Sequence, residues 1–410
     1  SHVKGNQTVD GTSTLTGDVT TGSNVTVGKD LTTNGNSETK GNSTVDGNAT
    51  VKGDVTINGS TQIDKDLSVK GNESVDGSST IGGDSHVKGS QIVDKDQTVG
   101  GNETVKGDAT VNGNQTVDKD SHVKGNQTVD GTSDLKGDVT MEGNASVAKD
   151  FSVNGNTSLK DTKVDGTLET TGNATFDADM ETKGNATVDG NSTVKGDSDV
   201  QGNGHVGKDL TVDGTSDLKG DVTMEGNASV AKDFSVSGNT SLKDTKVDGT
   251  LETTGNATFD ADTEVKGNST VDGNSTVKGD SDVQGNGHIG KDLTVDGTSD
   301  LKGDVTMEGN ASVAKDFSVS GNTSLKDTKI DGTLETTGNA TFDADTEVKG
   351  NSTVDGNSMV KGDSDVQGNG HIGKNLTVDG TSTLTGDVTT GANVTVGKDL
   401  TVNGQANLKD

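Results

Sequence analysis

The side chains best suited to acid–base or metal chemistry in this 410-residue chain are six histidines, His2, His86, His122, His205, His288 and His371. Each stands directly before an apolar residue, as in His86-Val87 and His288-Ile289. A zinc site needs His, Cys or carboxylate ligands at close, recurring spacings, and none of the six has a His-x-His or His-plus-carboxylate neighbour of that kind. Period-two alternation turns the residue beside an inward apolar side chain outward. The spacing therefore assigns all six to a surface, in positions that Thr otherwise holds.

Carboxylates are more plentiful, with 65 Asp and Glu in all. Asp and Asn recur three residues after an apolar position, so stacked copies would form carboxylate ladders able to take Ca²⁺. The Gly-Gly-x-Gly-x-Asp nonapeptide of calcium-loaded solenoids is absent, and the expectation is diffuse counterions. Asn-x-Thr sequons such as Asn42-Ser43-Thr44 follow from the same spacing and imply no glycosylation. Ser is abundant, yet no Gly-x-Ser-x-Gly elbow sits between a strand and a helix. Regular Thr suggests an ice-binding face, but Asp and Lys flank each Thr and spoil it. No catalytic, cofactor or metal residue is expected, and the chain reads as no enzyme.

Composition narrows the classes further. The chain has no Cys, Pro, Trp, Tyr or Arg, 61 Gly, and a net charge of −31. Its 25% hydrophobic content is about half the globular norm, too little to fill a globular core. Lack of Cys excludes disulfides and thiolate chemistry. An acidic chain without Arg argues against nucleic acid, and no apolar run approaches the ~18 residues of a membrane span. The chain opens mid-repeat at Ser1-His2-Val3-Lys4-Gly5-Asn6, and reads as a stretch of a longer array.

What positions these groups is a hexad. From Val3 an apolar residue recurs every six positions, through Val9, Leu15, Val27, Val45 and Val69 to Val153 and Leu159. The frame loses one residue between Leu159 and Val164, another at Val247 and a third at Ile330, and ends at Leu408. Of the 69 positions on this line, 61 are Val, Ile, Leu, Met or Phe and the rest are Thr. Calling the apolar position i, i+2 is mostly Gly, i+3 Asn or Asp, and i+5 Thr or Ser, as in Val45-Asp46-Gly47-Asn48-Ala49-Thr50. Thr beside Val suits a strand. Gly-Asn and Gly-Asp tolerate positive φ and mark a turn. Each hexad is thus a short strand and a corner, and helix is excluded by the recurrent Gly.

A longer repeat overlies the hexads. Thr211–Leu293 and Thr294–Leu376 differ only at Val247/Ile330, Thr276/Met359 and Asp292/Asn375, and a similar unit starts at Thr128. Such near-identity suits a spacer, in which length matters more than any one site. The domain reading is one continuous shaft over 1–410, with unbroken hexads over 1–159 and blocks at 164–242, 247–325 and 330–408. The pentads Leu159–Val164, Leu242–Val247 and Leu325–Ile330 are expected to be local kinks or twist changes. The Phe residues 151, 176, 234, 259, 317 and 342 read as packing plugs.

The fold class is all-β, an elongated β-helix of six-residue repeats, closed either by three intertwined chains or by one chain in a three-sided coil. In the single-chain coil i and i+4 both point inward. Position i+4 holds Gln7, Glu73, Gln91, Gln97, Glu103, Gln115 and Gln127, and burying them uncompensated costs several kcal/mol apiece. Lys52, Lys70, Lys88, Lys106 and Lys124, each three hexads from the next, would also stack in one repulsive column. Both points favour three chains, with a shaft of about 330 Å at one layer per hexad, or a third of that for one chain.

Runs such as Val123-Lys124-Gly125-Asn126-Gln127-Thr128-Val129-Asp130-Gly131 resemble the Val-x-Gly-Asn repeats of trimeric phage tail fibres and cell-puncturing spikes, type VI secretion spikes among them. The period here is six residues where those spikes have eight. The alternative resemblance is to bactofilin-like and hexapeptide-repeat solenoids. Hexapeptide acyltransferases use a catalytic His at a subunit cleft, but nothing singles out one His here. The fibre resemblance implies a homotrimeric extracellular, cell-surface or virion shaft that presents an adhesive or receptor-binding tip lying outside this chain. The solenoid resemblance implies a self-assembling filament. In either case the expected partners are the chain itself and, through the tip, a host or cell-surface receptor.

Overall fold

The computed structural model describes residues 1–409. Its described residues form 69 short strands and no helix. Nearly every hexad gives one three-residue strand, from i+4 to the next i, followed by a three-residue corner. The chain divides into two units, Ser1–Gly207 and Lys208–Asp410.

Within Ser1–Gly207, successive strands go to three parallel sheets in rotation, so each strand pairs with the one three places on. Val55–Ile57 lies against Glu73–Val75, which lies against Gln91–Val93, with Ile57, Val75 and Val93 in register. The other two sheets follow the same rule, as in Ile63↔Ile81 and Val69↔Val87. One coil is therefore three hexads. Lys208–Asp410 repeats the arrangement, with Thr211 opposite Ser229 and Asp217 opposite Ser235. The fold is an all-β parallel solenoid with three sheets in each unit.

Hydrogen bonding continues around the corners. The backbone N–H of Gly89 donates to Gly71 O at 2.9 Å, Gly107 to Gly89 O at 3.0 Å, and Gly125 to Gly107 O at 3.1 Å. Next to this column the side chain at i+3 receives the N–H of the i+3 residue one coil on. The run Asp18, Asn36, Asp54, Asn72 makes such bonds at 2.8, 2.8 and 3.2 Å. Corner N–H groups that a strand ladder alone would leave unpaired are satisfied in this way.

Stacked corners account for the glycines differently from the turn chemistry expected above. No described residue, Gly included, has positive φ. The requirement is room. A Cβ on Gly155 would lie 2.5 Å from Gly137 O and 2.6 Å from Asp138 Oδ1 of the coil beneath.

Burial alternates in, out, in along almost every strand, so both i and i+4 face the interior. Val69, Val75, Ile81 and Val87 are fully buried. So are Glu73, Gln91, Gln97, Glu103, Gln115 and Gln127, against the expectation that i+4 must face water. Their cost is offset because they bond to one another, as described below. The five stacked lysines are exposed at the corners, where water and salt screen their repulsion. The Phe side chains do sit inside, with Phe151, Phe176, Phe234 and Phe317 at 0 or 1% exposure.

Replacing Gly155 by Ala should lower the stability of its coil by about 1–3 kcal/mol through overpacking. Gly11→Ala, where nothing lies within 4 Å of the new Cβ, should leave urea denaturation unchanged. Equal effects of the two substitutions would contradict the stacking account.

Candidate functional site

The pentads are where the surface departs from regularity. In Leu159-Lys160-Asp161-Thr162 the corner has two residues, and the Gly of a normal corner is the one missing. The coil that crosses it is two hexads and a pentad: Ala145 pairs with Thr162, Phe151 with Leu168 and Thr157 with Ala174. The full three-hexad register returns at Thr162↔Met180. Just before the slip, Val139–Met141 and Thr157–Leu159 share two residue pairs instead of three. The same loss recurs before the other two pentads. The expected kink is thus a single shortened corner, with the strands on either side still in their sheets.

Beside each shortened corner lies an open groove of about 500–590 Å³. In the first copy Asp161, Asp179 and Asp197 stack at the corners, and Lys163, Glu181 and Asp199 stand on the strands that follow them. Asp244, Lys246, Asp262, Glu264, Asp280 and Asp282 occupy the same places in the second. Lys163 and Lys246 pair with Glu181 and Glu264 at 3.3 and 3.6 Å. Burial pushes the Asp282 carboxyl up, and the neighbouring Asp300 charge adds to this. Within Lys208–Asp410, a repeat of 14 strands on a three-strand coil moves the third copy to a different sheet from the second. Thr245–Val247 and Thr328–Ile330, both in Lys208–Asp410, accordingly stand on different sheets. The grooves offer carboxylates and an ammonium beside Ser and Thr hydroxyls. Among the described residues no group of three His, Cys, Asp or Glu is arranged to hold a metal ion.

At the next corner of the same coil, the backbone N–H and hydroxyl of Thr167 both donate to Asp150 Oδ1 at 2.8 Å. Those two bonds hold the Asp150 carboxyl below its ordinary value. Thr250 and Thr333 do the same for Asp233 and Asp316. These depressed carboxylates add stability above their unfolded pKa, and it is lost as pH falls through the folded value.

Five of the histidines lie mid-strand and His2 opens the two-residue strand His2–Val3, all with their side chains directed outward, as the alternation predicts. They do not converge. His86 and His122 flank Thr104 on one sheet, and His122 Nε2 lies 3.7 Å from Glu142.

The second unusual cluster is internal. Gln91 Nε2 donates to Glu73 Oε2 at 2.8 Å, and Gln97 Nε2 to both Gln91 Oε1 at 3.1 Å and Glu103 Oε1 at 2.6 Å. Gln115 Nε2 reaches Glu103 Oε2 at 2.7 Å, and Gln127 Nε2 donates to Gln115 Oε1. Ser133 Oγ closes the series on Gln115 Oε1 at 3.3 Å. Burial pushes both carboxyls up to about 7, against the pull of the Gln amides. The cluster was visible in the sequence as seven Gln and Glu at i+4, six of them between residues 73 and 127. What sequence reasoning missed is that successive coils bring them within reach of one another.

No family model, curated protein or solved structure matches this chain.

Inserting a Gly between Lys160 and Asp161 restores a full corner. It should narrow the first groove and slow amide exchange over residues 139–164, with an unchanged circular-dichroism spectrum. Faster exchange there would mean that the short corner is required by the packing beneath it.

Proposed function

We propose that this chain is a non-enzymatic structural spacer whose coils close within a single chain. The observation that carries the reading is the burial of both inward positions by strand pairing at a three-hexad interval. Interior hydrocarbon and a continuous ladder give each coil nearest-neighbour support, so length can grow by repetition without new design. The near-identical long copies fit an element selected for coil number. The charge of −31 coats the surface and keeps neighbouring spacers apart.

On this reading the chain holds an adhesive or receptor-binding tip away from a virion or cell surface, the role that its resemblance to fibre shafts implies. The three-chain shaft is the alternative assembly, and it requires i+4 to face water.

Light scattering separates the assemblies. The single-chain spacer has a solution mass of 41.3 kDa, whereas a stable particle of three times that mass overturns it. The spacer role is tested by deleting whole coils. Removing residues 37–54 should leave the fold intact and shorten the reach of a module fused beyond it by about 4.8 Å. Loss of folding, or a reach independent of coil number, would contradict the role.

A further inference from the structure

The interior chain from Glu73 to Gln127 is the one polar interruption of its kind in Ser1–Gly207, and the spacer role makes no use of it. Six side chains, Glu73, Gln91, Gln97, Glu103, Gln115 and Gln127, are linked end to end by amide hydrogen bonds across successive coils. All are at most 2% exposed.

The strands packed against the two carboxyls supply no cation. Glu73 lies between Val55–Ile57 and Gln91–Val93, and Glu103 between Ser85–Val87 and Ser121–Val123. The third sheet presents Ser79, Gln97, Gln115 and their apolar partners at this level. Glu73 and Glu103 are therefore the only ionisable groups that these strands turn inward. His86 and His122 belong to the strands flanking Glu103 but point outward. Two buried acceptors, Gln97 Oε1 and Gln127 Oε1, have no hydrogen-bond partner. A proton on either carboxyl removes a buried charge and adds one donor to the cluster.

We propose that the coils between Glu73 and Ser133 are a pH-sensitive segment of the spacer, tight when Glu73 and Glu103 are protonated and loosened when they are ionised. Two like charges in a dry prism, met only by neutral amides and the Ser121 hydroxyl, disfavour the closed coil. The amide bonds keep the protonated form ordered, so the segment opens locally while the hydrocarbon-filled coils elsewhere stay shut. The proposal rests on the single-chain coil.

The sign follows from linkage. Each carboxyl moves from an ordinary 4.5 to about 7 in the folded chain. Between those values the folded state binds more protons than the open state. Closure is therefore strongest below about 4.5, weakens as pH rises through the window, and is level above about 7.

Hydrogen exchange with mass spectrometry on the whole chain, corrected for the intrinsic pH dependence of exchange, tests this. Protection of residues 91–105 should fall on the order of a hundredfold for each of the two carboxyls, or roughly ten-thousandfold for the pair, between pH 4.5 and 7.5. Protection of residues 293–313 should stay level. E73Q and E103Q should each reduce the fall, and the double substitution should abolish it. A wild-type profile in which 91–105 and 293–313 respond alike to pH overturns the proposal, as does an unchanged profile in a folded double variant. If the double variant does not fold, the wild-type profile and the single substitutions decide. A solution mass of three chains would instead mark failure of the single-chain reading.

Discussion

Everything in this fold depends on one registration: outside the coils that cross a pentad, each residue lies over the residue three hexads earlier. The backbone ladder enforces it in the strands, and the glycine and Asx columns enforce it at the corners. Because the same bonds run through strand and corner, no part of the coil is a free loop. A sequence with about half the usual hydrophobic content can then fold, because the interior is only a few side chains across and needs little hydrocarbon. Most of the stabilisation is nearest-neighbour in kind, consistent with a chain that carries near-copies of one long block.

That registration also determines which substitutions are tolerated. The corner glycines are required by the coil beneath and not by their own torsion angles, since no described residue has positive φ. Outward positions are free to vary: Ile92 and Met359 stand where Thr is usual, at 45% and 43% exposure. Charges on the surface settle into ion pairs between stacked coils, such as Lys183–Asp165 and Lys195–Asp177 at 2.8 and 2.7 Å. Exposed pairs of this sort contribute little to stability. They do show how an acidic surface is arranged so that a lysine of one coil meets a carboxylate of the last.

Much of this was legible in the residues. The hexad line through Val3, Val69 and Leu159 reads directly as the inward position, and the frame slips at Val164, Val247 and Ile330 read as shortened units. The outward histidines follow from period two. Position i+4 was harder, because polarity alone places Glu73 and Gln91 outside. Their burial becomes reasonable only when the three-hexad coil puts Gln91 over Glu73 and brings Gln97 to Glu103, a relation between residues that no single hexad contains. The grooves were equally hidden, since they arise from a missing corner glycine acting through the coils around it.

The central claim is that three hexads of one chain make one coil, and a spin–spin distance tests it most directly. Thr44 and Asp134 face outward on one sheet, five coils apart through Gln62, Thr80, Thr98 and Thr116. The chain has no Cys, so nitroxides can be placed at Thr44→Cys and Asp134→Cys alone. Five steps of strand spacing predict about 24 Å between these backbone positions. A shaft that climbs one layer per hexad would place them about 72 Å apart within a chain, and that result would contradict the account.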